Sequence, residues 1–161
     1  MTNVSIKISI NELSHYSTSI GSLLEDKTLL SLVIKAFASH IKNLYGQMIE
    51  EEIHANRYKG KWEPVDDEGY REYLGVTPTG YILEYIRDAL EVVKKGTNYI
   101  VQIDPHYKYP GTKIPLVRVV RAIDSGTSKF NAHPIMRKII LRINSHLLTL
   151  WKSYLMQKGV V

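Results

Sequence analysis

The chain has 161 residues, 44% of them hydrophobic, no cysteine and a formal net charge of +5. That length fits one domain that buries a core without metal or disulfide support, and the missing thiols exclude disulfide frameworks and thiolate zinc sites. No apolar run approaches the ~18 residues of a membrane span, and the opening MTNVSIKISI lacks the apolar core expected of a secretory signal.

The charge is unevenly placed. Residues 1–86 hold 8 Lys/Arg and 12 Asp/Glu, whereas residues 87–161 hold 13 Lys/Arg and 4 Asp/Glu. Three readings fit. The faces differ by chance, the basic half lies near nucleic acid, or the acidic half of one subunit meets the basic half of the next. Head-to-tail contacts of the third kind close into rings.

Val4, Ile6, Ile8 and Ile10 alternate with polar residues, which predicts a strand with one buried face. Asn11 is placed to cap a helix over about 11–24, with Glu12 in its first turn. From Leu29 to Ile49 apolar residues recur at steps of three and four, predicting one long amphipathic helix over about 26–54. Residues 55–79 are rich in Gly, charge and aromatics and read as a long loop excursion within a single domain spanning 1–161.

Thr77 or Thr79 then caps a helix through 81–92, although its tail DALEVVKKG fits a strand equally well. Residues 97–105 predict a strand with Tyr99, Val101 and Ile103 on one face, followed by a polar loop, HYKYPGTKIP. Pro115 opens a short helix closed by Gly126; the alternation of Val117, Val119 and Arg121 leaves a strand as the alternative. Ile135, Ile139, Ile143, Leu147, Leu150 and Tyr154 track one face of a terminal helix over about 133–157.

Catalytic chemistry needs converging groups, and none stands out. Glu50, Glu51 and Glu52 read as the solvated end of the long helix. Asp66, Asp67 and Glu68 lack an EF-hand pattern, and a cation-dependent enzyme built on them is the weakest reading. The six His have no ligand spacing, there is no nucleophile elbow, and no dinucleotide fingerprint asks for a cofactor. Lys129 follows Gly126 without the earlier glycine of a phosphate loop. Nucleic-acid binding has more support. Arg118, Arg121, Lys129, Arg137, Lys138 and Arg142 cluster in sequence, and Tyr107 and Tyr109 alternate with His106 and Lys108 as a base-stacking strip does.

The stretch RAIDSGTSKFNAHPIMRK, residues 121–138, has a local physical reading. Gly126 suits positive φ and ends the preceding segment. Asp124 and Thr127 can accept hydrogen bonds from backbone amides in the turn. Pro134 restricts His133 to extended backbone and pre-sets the next helix. The result is a rigid corner that aims the terminal helix.

In this stretch Ile123, Asp124, Gly126, Thr127, Ala132 and Pro134 precede an amphipathic terminal helix. That order resembles the tail-completion, or neck, proteins of long-tailed double-stranded DNA bacteriophages, and the related tail-terminator ring proteins. Thr79, Gly80, Ile82 and Leu83 match loosely the Thr-Gly-x-Leu that often precedes a strand in that family. The opening strand, short helix and long helix agree too. Asp124 stands where Glu is commoner, and the usual Ala-Pro lead is missing from 55–79. The resemblance implies an α+β fold, with long helices on a mostly antiparallel sheet, and a virion structural protein with no catalytic, cofactor or metal site. It further implies a hexameric ring at the head-to-tail joint that contacts the tail tube and the head connector and leaves room for contact with channel DNA, made in the host cytoplasm. The loops at 55–79 and 105–114 are the expected contact segments, and a small basic nucleic-acid-binding protein is the alternative.

Overall fold

A computed structural model describes residues 4–20, 27–54, 75, 81–126 and 135–159. In chain order these form β1 (Ile6–Ser9), α1 (Ile10–Ile20), α2 (Lys27–His54), α3 (Ile82–Asp88), β2 (Leu90–Lys95), β3 (Asn98–Ile103), α4 (Leu116–Ser125), α5 (Ile135–Ser145) and α6 (Leu147–Gln157). The fold is α+β, with three antiparallel strands in the order β1-β3-β2. The expected excursion at 55–79 lies outside the described residues, apart from Gly75.

The alternation at the N-terminus acts as expected. Ile6 pairs with Val101 and Ile8 with Tyr99, while Val101 also faces Val92 across the hairpin. One sheet face is therefore apolar: Ile6, Ile8, Tyr99, Val101 and Ile103 are all buried. Gly96 turns the β2–β3 hairpin with φ 60°, the sign that tight two-residue turns require.

Against that face lies α2, whose Leu30, Ile34, Phe37, Ile41, Tyr45, Met48, Ile49 and Ile53 are buried at helical spacing. Leu29, expected on that stripe, is exposed. The Tyr45 hydroxyl donates to the Val4 carbonyl at 3.2 Å and fastens α2 to the start of β1.

Several boundaries differ from the sequence reading. Ser9, rather than Asn11, caps α1: its hydroxyl accepts from the Glu12 amide at 3.2 Å, the standard service to an orphan amide in the first turn. The segment 81–92 divides, with helix to Asp88 and strand from Leu90. Pairing of Val92 with Val101 decides the tail, because β-branched residues fit a pleated, half-buried surface. Residues 116–125 are helical, which settles the other helix-or-strand alternative.

The terminal helix is broken at His146 (φ −119°, ψ 14°). Its amide bonds back only three residues, to Ile143, and the Ser145 hydroxyl donates to the Arg142 carbonyl. Asn144, Ser145 and His146 are weak helix formers, two of which compete for backbone partners. The break turns α6 so that Trp151 meets Phe37 edge-on at 4.9 Å and Tyr154 lies 5.4 Å from the same ring.

The Trp151 indole donates to the Ser17 hydroxyl at 2.9 Å, and that hydroxyl donates to the Leu13 carbonyl at 2.6 Å. Both side chains are fully buried, so this relay joins the two ends of the chain in the core. Ser17→Ala strands the indole N–H and is expected to cost about 1–3 kcal/mol in denaturant unfolding. Combined with Trp151→Phe the losses should be clearly non-additive; simple additivity would show that the bond contributes nothing.

Candidate functional site

The stretch that carries the resemblance is organised around a buried acid. Gly126 ends α4 with φ 70°, and its amide donates to the Ala122 carbonyl at 2.8 Å. Two residues earlier, Asp124 is 1% exposed. Its Oδ1 accepts from the amides of Met136 at 3.0 Å and Arg137 at 3.2 Å. Asp124 therefore caps the start of α5 from a distance of twelve residues, not the local turn the sequence suggested.

An acid there meets unpaired amides and the positive end of the helix dipole. Arg137 closes the arrangement. Its Nη2 donates to the Asp124 carbonyl at 3.1 Å, and its Nε lies 3.8 Å from Oδ2. Oδ2 has no hydrogen bond among the described residues.

Burial pushes the Asp124 carboxyl above its ordinary value, against the opposing pull of the Arg137 and Met136 amides and the Arg137 charge. Burial also raises Tyr45, with the Asp124 charge adding to it. Thr127, Lys129 and Pro134, the other expected members of the corner and basic cluster, lie outside the described residues.

The remaining basic candidates fall on two helices. Arg118 is exposed and Arg121 half-buried on α4, while Lys138 and Arg142 are exposed on α5. Arg137 is engaged with Asp124. No acidic residue follows Asp124, so α5 and α6 carry only positive formal charge. The same two helices expose Leu141 (61%), Leu148 (49%) and Met156 (59%), a feature the sequence reading passed over because it sought the buried stripe alone.

The proposed stacking strip is corrected. Tyr109 is buried, its ring edge-on to Tyr85 at 5.8 Å, and Tyr107 is half-buried. Residues 104–115 fold into a compact loop, with the Tyr109 amide donating to the Ile114 carbonyl and the Leu116 amide to the Tyr107 carbonyl, both at 2.8 Å. Tyr109 is thereby withdrawn from the expected strip, while Tyr107 keeps part of its ring exposed.

Glu50 is also more than a solvated charge. It pairs with Arg87 of α3 and, at 2.8 Å, with His54. The Arg87 hydrogen bond, helped by His54 and the Arg87 charge, holds its carboxyl below the usual range against the opposing effect of burial. Periodicity gives no access to such a pair, because its members are 37 residues apart.

Among the described residues no three His, Asp or Glu side chains converge to hold a metal, and no helix is long and apolar enough to cross a membrane. The chain matches no known family model, no curated protein and no solved structure.

Asp124→Ala should cost about 1–2 kcal/mol, the range of a lost helix cap. Asp124→Asn keeps an acceptor for both amides without a buried charge and should recover much of that loss at neutral pH. The raised carboxyl gives stability that is full below the ordinary Asp value and fades as pH rises through the raised one. The stability of the wild type relative to Asp124→Asn should therefore fall as pH rises through that window. Urea unfolding at a series of acid to neutral pH values reads it, and a rise would contradict the burial of this charge.

Proposed function

We propose that the chain is a virion structural protein of the head-to-tail joint of a long-tailed phage, assembling as a ring that completes or terminates the tail. Its work is binding: subunit to subunit, ring to tail tube and ring to head connector. It is made in the host cytoplasm and comes to reside in the virion. The observation that carries this reading is the Asp124 corner. The acid of the resembling stretch caps the terminal helix, and Gly126 closes the one before it. The stretch thereby fixes the direction of a helix pair whose outer face is apolar and basic. Such a device presents a surface and needs no substrate.

Further support comes from the order of elements: strand, short helix, one 28-residue helix, hairpin, short helix, corner, terminal helices. The nucleic-acid reading keeps its exposed arginines and lysines but loses Tyr109 from its stacking strip.

Immunogold electron microscopy of particles carrying the tagged chain should place label between capsid and tail. Particles made without the chain should separate into filled heads and unattached tails. Label elsewhere, or joined particles in its absence, would sink the proposal. Tight binding of the purified monomer to DNA, with a steep loss on adding salt, would favour the nucleic-acid reading instead.

A further inference from the structure

Among the described residues the sheet ends at β2, which pairs with β3 on one side alone. Two hydrogen bonds fix where its backbone groups point. The Asp104 amide donates to the Ala89 carbonyl at 2.8 Å, and the Ile10 amide donates to the Thr97 carbonyl at 3.0 Å. Ala89 stands opposite Asp104 in the register that pairs Leu90 with Ile103. Bonded and unbonded pairs alternate along an antiparallel ladder. Glu91, Val93 and Lys95 therefore bond to β3, while Val92 and Lys94 turn their N–H and C=O groups to the open side. The Ile10–Thr97 bond assigns the alternate β3 residues, Tyr99 and Val101, to β1, which agrees.

The open backbone groups of Val92 and Lys94 meet no hydrogen-bond partner among the described residues. Both side chains lie on the face that carries Tyr99 and Val101. Val92 packs against the core yet stays half-buried. Lys94 and Lys95 are exposed at the hairpin end and form no ion pair among the described residues. From Val92 to Ile103 the hairpin contains no carboxylate, and Glu91 is occupied by the Gln102 amide at 2.8 Å.

We propose that β2 is a docking edge for an extended segment of another protein, added antiparallel and carrying an acidic residue two positions before an apolar one. A row of open N–H and C=O groups is met by another backbone about 4.8 Å away. The side chains then select the segment. An apolar residue opposite Val92 extends the buried face. In an antiparallel partner the residue opposite Lys94 comes two positions earlier, where a carboxylate makes a cross-strand pair. A second carboxylate just before it meets Lys95 on the other face. Lysines on an edge deter apolar and cationic strands, so here they choose an acidic one. A second copy of β2 would bring two more lysines and no free carboxylate. Nucleic-acid phosphates accept hydrogen bonds but do not donate them, and so leave the two carbonyls unmet. The inference goes beyond the proposed function and does not depend on where the chain resides.

The test uses the full-length chain and the synthetic peptide Ser-Asp-Asp-Thr-Val-Thr-Val-Ser, with binding followed by nuclear magnetic resonance. The Val92 and Lys94 amide signals should shift on titration. The same peptide with Lys-Lys in place of Asp-Asp should bind about tenfold more weakly. N-methylation of the second Asp and the first Val, the two residues that bond to the edge, should abolish binding. Lys94→Pro removes an outward N–H that the sheet does not use, a place where an edge strand tolerates proline; it should also abolish binding, with circular dichroism unchanged. Lys94→Glu with Lys95→Glu should reverse the preference between the two peptides, which reads the contact without proline.

Absence of binding at millimolar peptide, equal binding of the two charge forms, or binding that survives N-methylation would each overturn the assignment. Two further outcomes would replace the occupant. Shifts of the same two amides with rising protein concentration alone would point to a second copy, and shifts with duplex DNA in place of peptide would point to nucleic acid.

Discussion

Burial of one face of α2 is the constraint on which the rest of the structure depends. The helix spans 28 residues and meets the inner face of the sheet, α1, α3 and α5 along its length, with the rings of α6 on Phe37. A fully buried Ile or Phe is worth about 1.5–3 kcal/mol, whereas a net hydrogen bond is worth about 1 kcal/mol. The stripe from Leu30 to Ile53 therefore outweighs any polar contact in the molecule. Every other element is placed by what it must cover.

The polar groups caught in that core are resolved locally. Ser17 serves the Trp151 indole, and the Tyr45 hydroxyl finds the Val4 carbonyl. Asp124 is the costlier case, since a buried charge needs partners to remain ionised. It gains two amides at a helix start and an arginine in return for its burial. What this secures is direction: α4 and α5 are locked at a fixed corner, and the break at His146 then swings α6 onto Phe37.

Glu51 and Asp88 are exposed where α2 meets α3, and α5 and α6 expose Lys138, Arg142 and Lys152 together with Leu141, Leu148 and Met156. In the 104–115 loop the buried Tyr109 packs into the core and takes one ring out of the expected stacking strip.

Sequence by itself determined the elements whose period is unbroken, β1, α2 and β3, and the end of the following segment at Gly126. Their side chains repeat at 2 or 3.6 residues, and that repeat is local information. The α+β class implied by the family resemblance agrees with them. Tertiary structure decided the rest. It made Asp124 a cap for a helix twelve residues on, and paired Glu50 with Arg87 across 37 residues. It withdrew Tyr109 into the core, moved the α1 cap to Ser9 and broke the terminal helix at His146. Each outcome depends on which group another segment brings within hydrogen-bond or packing distance, and no periodicity in one segment encodes the approach of another.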